Sequence, residues 1–114
     1  MRNTLFLLVS VAIFPAIPAQ AASFDCTQAY AADARAICAS RVLSELDVEM
    51  AVRFETLAGL VAMGMRGDMG DAQKDFLASR HRCGGDARCL ATLYRGRIKI
   101  LESQYDALKQ RGPF

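Results

Sequence analysis

Polar, basic and aromatic side chains that can do chemistry concentrate between residues 73 and 101 of this chain. Gln73, Phe76, Arg80 and Cys83 recur at spacings of three, four and three, which places them on one face of a helix. A face used for packing alone would be more uniformly apolar. We expect this face to point mostly inward and to be structural. Cys83 also opens the segment CGGDARC, which Cys89 closes.

The sequence does not assemble a convincing catalytic set. His81 is the single histidine, and no acid stands beside it in the segment SRHRC to orient it. Glu45 and Glu49 lie one turn apart, but this spacing is routine on a solvated helix face. We therefore expect the protein not to be an enzyme.

Zinc and redox chemistry are also disfavoured. A zinc site would need His81, Cys83, Cys89 and one more cysteine, but thiols of exported proteins oxidise, and a separation of six residues between the two cysteines is unusual for zinc. No Cys-x-x-Cys motif is present. We expect no metal and no cofactor.

The first residues are typical of a secretory signal. Arg2 precedes an apolar run at residues 5–14, and Ala19-Gln20-Ala21 is a small-residue cleavage site. The run is shorter than the roughly 20 apolar residues that span a bilayer. We predict a signal peptide at residues 1–21, cleavage after Ala21, and a single domain at residues 22–114 that is periplasmic or secreted, without a membrane span.

All four cysteines fall in this predicted domain. An even number of cysteines in a small exported chain indicates two disulfides, and four cysteines allow three pairings. Proximity in sequence favours Cys26 with Cys38 and Cys83 with Cys89. Each bond would stabilise the small fold by roughly 2 to 3 kcal/mol.

Charge is divided unevenly along the domain. Residues 22–71 carry eight acidic and four basic side chains, and residues 72–114 carry four acidic and nine basic ones, so the halves have net charges of −4 and +5. The sum of +1 is not the footprint of a nucleic-acid-binding protein. We expect the two halves to attract one another, in preference to forming a charged docking face.

Apolar periodicity predicts an all-α fold, a small disulfide-stapled hairpin or bundle of about four helices. Ser40 and Asp86 are suited to cap the second and fourth helices, and the glycines at positions 64, 67 and 70 end the second. We expect the long second and fourth helices to be antiparallel. The predicted helices cover residues 28–39, 41–61, 72–82 and 87–111. The predicted inner face of the last comprises Leu90, Leu93, Tyr94, Ile98, Leu101, Tyr105 and Leu108.

Asp47 shares the apolar face of the second helix, between Leu43 and Met50. It lies either at the edge of that face in contact with water, or inside with a basic partner. We favour the second, with Arg80 or Arg97 as the partner, because a partly buried carboxylate needs one.

The segment between Cys83 and Cys89 is the predicted recognition element. Closed by a disulfide, it forms a ring between two helix ends. The arginines around it are Arg80, Arg82, Arg88, Arg95 and Arg97. The candidate binding residues are Arg82, Asp86 and Arg88. The ring is either a stapled turn with solvated arginines, or a preorganised surface that offers guanidinium groups to an anionic partner.

The sequence resembles the LprI-like N-terminal domain family, small exported bacterial proteins named for lysozyme inhibition. The resemblance covers nearly all of residues 22–114. It is carried by Phe24-Asp25-Cys26, Ala29, Ile37-Cys38, Leu43, Leu46-Asp47, Gln73, Phe76, Arg80, Cys83, Cys89-Leu90, Tyr94, Arg97-Ile98 and Leu101.

The resemblance implies a helical envelope or secreted protein that inhibits lysozyme by protein-protein binding. Arg82 or Arg88 would enter the lysozyme cleft, while Glu45, Glu49 and Glu55 steer a basic enzyme from a distance. The alternative is an envelope interaction or structural module with an unidentified partner and no inhibitory activity.

Overall fold

Four α-helices and one short 3-10 turn make up the fold in the computed structural model, which describes residues 21–112. The predicted signal peptide lies outside these residues, apart from Ala21. Within residues 21–112 there is no β-strand, so the predicted all-α class is confirmed. The elements are the 3-10 turn Cys26–Gln28 and the helices α1 Ala32–Ala39, α2 Arg41–Leu60, α3 Met63–Cys83 and α4 Ala87–Lys109.

The first helix begins four residues later than predicted. The Asp25 carboxylate accepts hydrogen bonds from the backbone N–H and the hydroxyl of Thr27, at 2.9 and 2.7 Å, and this fixes a tight turn instead of a helix start. The Cys26–Cys38 disulfide ties that turn to the end of α1, which confirms the first predicted pairing.

A buried hydroxyl joins α1 to α2. The Ser40 side chain caps α2 as predicted, accepting from the Leu43 N–H at 3.3 Å. Ser44, one turn further on, donates to the carbonyl oxygen of Ile37 at 2.7 Å. The end of α1 therefore has a satisfied carbonyl, and the angle between the two helices is fixed.

The prediction that the glycines end helical structure until Asp71 is wrong, because α3 already begins at Met63 and contains all three of them. Each glycine in a helix costs about 1 kcal/mol relative to alanine. Tertiary contacts oppose that cost: Met69 is buried, and the Arg66 side chain donates to the carbonyls of Ala58 and Val61 where α2 ends.

The prediction of antiparallel long helices is also wrong, since α2 and α4 run in the same direction. Asp47 contacts Tyr94, and further along both helices Arg53 contacts Glu102. The return is made by α3, whose 21 residues span about 30 Å, as much as α2.

The core lies between α2, α3 and α4, with α1 packed against α2. The Phe76 ring meets the Tyr94 ring edge to face, with 5.2 Å between centroids. The predicted inner face of α4 is buried or half-buried except for Tyr105, which is exposed. The largest fully buried side chains are Tyr94, Ile37, Leu57, Met69, Leu90, Leu101 and Asp47.

Gly67→Ala tests whether the glycine segment is helical in solution. An alanine Cβ at this position meets no atom within 4 Å, so we expect the free energy of unfolding to rise by roughly 0.5 to 1 kcal/mol. Gly84→Ala is the control. Gly84 has a φ of +54°, which strains a residue with a Cβ, so this substitution should lower the free energy of unfolding. Urea denaturation measures both, and an unchanged or lower stability for Gly67→Ala would contradict the helix.

Candidate functional site

A cluster of charged and hydrogen-bonding side chains lies inside the helical core. We call it the Asp47 cluster, and its members are Asp33 on α1, Asp47 on α2, Arg80 on α3 and Tyr94 on α4. Every helix thus contributes one side chain. Asp47, Arg80 and Tyr94 were predicted from the sequence to be structural residues, and the structure brings all three together.

Arg80 pairs most closely with Asp33, a carboxylate that was not predicted to be its partner. Its Nε lies 2.9 Å from Oδ2 of Asp33, whereas its Nη1 is 4.0 Å from Oδ1 of Asp47. The guanidinium also lies over the Phe24 ring, 5.3 Å from its centroid. The predicted Asp47–Arg80 contact exists, but Asp33 is the closer partner. Its position one turn before Ile37, on the buried side of α1, was the available signal.

Asp47 is drawn inward, as predicted, and is completely buried. Its Oδ1 accepts a hydrogen bond from the Tyr94 hydroxyl and its Oδ2 accepts one from the Ser23 backbone N–H, both at 2.7 Å. Neutral donors therefore hold this carboxylate at hydrogen-bond distance, and Arg80 lies only at the limit of an ion pair.

The environment of the cluster lowers the pKa of Asp33 and raises the pKa of Tyr94. Burial alone would raise the pKa of Asp33, but the hydrogen bond and charge of Arg80, with two backbone hydrogen bonds, outweigh it and hold that pKa below its ordinary value. Burial raises the pKa of Tyr94, and its hydrogen bond to Asp47 raises it further. At neutral pH Asp33 is ionised and Tyr94 keeps its proton. With Tyr94 fully buried, the arrangement is suited to holding helices together.

A second polar contact extends from Arg97. Its Nε donates to Oε1 of Gln73 at 3.1 Å, and the Gln73 amide lies 3.2 Å from the sulfur of Met50. Burial lowers the pKa of Arg97. Among the residues described, its Nη2 has no hydrogen-bond partner. Arg97 is thus a buried structural residue, but it is not the partner of Asp47.

His81 has no acidic neighbour in the sequence, but in the structure Asp33 of α1 lies near it. Nδ1 of His81 is 3.6 Å from Oδ1 of Asp33, which is beyond hydrogen-bond distance. The imidazole is largely exposed, and the carboxylate is already bound to Arg80. The pair therefore lacks the fixed geometry that a general base requires.

The predicted ring between residues 83 and 89 is formed, and we call these residues the cysteine ring. Cys83 and Cys89 are bonded, which confirms the second predicted pairing and leaves neither sulfur available as a zinc ligand. Gly84 ends α3 with its positive φ, where a residue with a Cβ would be strained.

The polar side chains in and beside the cysteine ring have two different roles. The Asp86 carboxylate accepts from the N–H groups of Arg88 and Cys89, both at 3.0 Å, so it caps α4. Arg82 donates to the Ser79 hydroxyl at 2.8 Å. Arg82 and Arg88 are both exposed. The arginines can contact a partner directly, whereas the Asp86 carboxylate is engaged by its own helix.

The acidic side chains predicted to steer a basic enzyme are partly neutralised. Glu45 lies 2.8 Å from Arg41, and Glu49 lies 2.9 Å from Arg53. Arg53 also contacts Glu102, at 3.0 Å. All three acids are exposed on α2.

Comparison of this chain with protein-family models, curated proteins and solved structures gives no match. Across residues 21–112, none of the helices is both long enough and apolar enough to cross a membrane.

Asp47→Ala should be strongly destabilising. It leaves the buried Tyr94 hydroxyl and Ser23 N–H without an acceptor, so we expect a loss of about 2 to 5 kcal/mol in the free energy of unfolding. Glu45→Ala removes an exposed carboxylate from the same helix and should change stability little. Urea denaturation of both variants checks this, and equal effects would contradict a central role for Asp47.

The pKa of Asp33 predicts how stability depends on pH. Because this pKa is below its ordinary value of 3.8 in the folded state, the unfolded chain binds more protons in that window. Stability should be present above the ordinary value and be lost as pH falls through the folded pKa. Asp33→Asn should flatten the dependence between about pH 5 and pH 2, measured by urea denaturation at each pH. An unchanged slope would exclude Asp33 as the source.

Proposed function

We propose that this protein is an exported lysozyme inhibitor that binds the enzyme through the cysteine ring. The observation that carries the proposal is the geometry of the ring, which is closed by a disulfide and anchored at both ends in helices. The ring bears the exposed Arg88, and the exposed Arg82 lies directly beside it. The resemblance to the LprI-like family supplies the identity of the partner.

A ring of this kind suits recognition of an acidic cleft. Holding a loop in one conformation before binding lowers the conformational entropy lost on association. A guanidinium group forms two parallel hydrogen bonds with a carboxylate. Lysozyme is a glycosidase, and its cleft holds a pair of carboxyl groups on either side of the bond that it cleaves. Arg88 is our choice for the residue that enters the cleft, with Arg82 beside it.

Export is part of the proposal. Both disulfides are typical of proteins in an oxidising compartment outside the cytoplasm. With the signal pattern of residues 1–21, they support cleavage after Ala21 and a periplasmic or secreted location. In that location the chain would meet lysozyme that attacks the cell wall.

A second candidate is an envelope interaction module that does not inhibit lysozyme. The ion pairs of Glu45 and Glu49 favour it, because they weaken the acidic field that would attract a basic enzyme. In this case the cysteine ring contacts another envelope protein, or serves only to staple α3 to α4.

Arg88→Glu tests the inhibitor. We expect the oxidised domain to slow lysis of bacterial cell walls by a c-type lysozyme, and the substitution to weaken inhibition roughly tenfold or more, because it places like charges together in the cleft. Arg111→Glu makes the same change in charge at an exposed site about 34 Å further along the helix direction, and should leave inhibition intact. Turbidity of the cell-wall suspension measures both.

Two results would decide between the candidates. No slowing at micromolar protein would reject inhibition of this lysozyme class and leave the interaction module. Inhibition that both glutamate variants retain would keep the inhibitor but exclude the cysteine ring as its binding surface.

A further inference from the structure

The chain passes from solvent into the core at the bond between Ala21 and Ala22. Ala21 is exposed, whereas Ala22 is only 5% exposed and packs in the hydrophobic core. The next residue, Ser23, donates its backbone N–H to Oδ2 of Asp47. The two residues after the predicted cleavage site therefore contact the hydrophobic core and the Asp47 cluster.

The cluster holds more negative than positive charge. The charged groups that face one another are Asp33, Asp47 and Arg80, and the guanidinium of Arg80 is closest to Asp33. Tyr94 and the Ser23 amide are neutral donors. His81 approaches only Asp33 and is mostly exposed. Within residues 21–112 one guanidinium is thus shared between two buried carboxylates, at 2.9 Å from Asp33 and 4.0 Å from Asp47, and a buried carboxylate with so distant a cation is costly inside a protein.

We propose that a second cation for this pair of carboxylates is the α-ammonium group of Ala22, which appears when the signal peptide is removed. Hydrolysis adds hydroxyl to the carbonyl of Ala21 and hydrogen to the nitrogen of Ala22, and the released amine then takes up a proton. This ammonium forms an ion pair with Asp47. The inference rests on the export part of the proposed function and does not depend on lysozyme binding.

The geometry brings the new ammonium within reach. Three bonds join the nitrogens of Ala22 and Ser23, so these atoms are at most about 3.7 Å apart. With 2.7 Å from the Ser23 nitrogen to Oδ2 of Asp47, the Ala22 nitrogen lies no further than about 6.4 Å from that oxygen. Rotation about the Cα–C bond of Ala22 can shorten this distance. In the uncleaved chain the same nitrogen is a neutral amide and provides no charge.

The burial of Ala22 also bears on the order of the maturation steps. Because Ala22 is buried in the folded domain although Ala21 is exposed, a peptidase has freer access to this bond before folding than after it. Folding then places the charged terminus against Asp47. Processing and folding are thus coupled through one ion pair.

The experiment compares three oxidised chains: residues 22–114 with a free amine, the same chain acetylated at Ala22, and residues 21–114. Residues 22–112 contain the four helices, both disulfides and the whole hydrophobic core, so these chains include everything that the fold needs. In urea at pH 7, we expect the unfolding constant of the free-amine chain to be smallest, about tenfold or more below that of the acetylated chain. Retaining Ala21 should have a similar effect to acetylation, because it moves the ammonium outward.

Asp47→Asn in each chain should remove the difference between the termini, and Asp25→Asn, which changes an exposed carboxylate near the same terminus, should preserve it. Equal stability of the free and acetylated chains would overturn the proposal, as would a difference that survives Asp47→Asn.

A titration keeps the test independent of how well the Asp47 variant folds. The pKa of the Ala22 amine, followed by NMR of labelled alanine, should lie above its ordinary value of about 7.7 to 8.0 in the folded chain and return to it in urea. The stability that the amine contributes should then be present below the ordinary value and be lost as pH rises through the folded pKa. An unshifted amine would overturn the proposal. The proposal would also be overturned if the mass of the exported protein showed that its first residue is not Ala22.

Discussion

One buried carboxylate sets the arrangement of this fold. Asp47 binds the Tyr94 hydroxyl and the Ser23 amide at once, so a single side chain joins α2, α4 and the segment that precedes α1. Apolar surfaces can slide past one another at little cost, whereas a buried carboxylate loses much of its stabilisation when a donor moves away. The register between the two parallel helices therefore depends on Asp47, and hydrophobic contacts fill the space that it defines.

Features that depend on neighbouring residues could be predicted from the sequence. The two disulfides, the caps at Ser40 and Asp86 and most of the inner face of α4 were predicted, since each is decided within a few turns of chain. The start of α3 could not be predicted, because contacts from Arg66 and Met69 outweigh the low helix propensity of the glycines. The prediction that α2 and α4 are antiparallel failed with it, because it assumed a short third helix. With α3 as long as α2, the three long helices alternate in direction.

The candidate site shows the same division. Periodicity correctly identified the inward face that contains Phe76 and Arg80, and it identified Asp47 as a buried acid. It could not decide which carboxylate Arg80 would meet, because Asp33 and Asp47 lie on different helices. That choice depends on how α1 packs against α2, which no spacing within one helix encodes. For the same reason, the proximity of Asp33 to His81 appears only in the folded chain.

The polar interior and the cysteine ring are mechanically connected. Arg80 lies less than one turn before Cys83 on α3, and Leu90 follows Cys89 into the core on α4. The ion pair with Asp33 restrains the last turn of α3, and the disulfide transmits that restraint to the first turn of α4. The exposed guanidinium groups of Arg82 and Arg88 therefore extend from two helix ends whose positions are fixed by buried contacts. A staple needed only for stability could close any loop between these helices. Here both a buried ion pair and a disulfide fix the two helix ends, and this limits the positions that Arg82 and Arg88 can take. A rigid recognition surface requires such a limit.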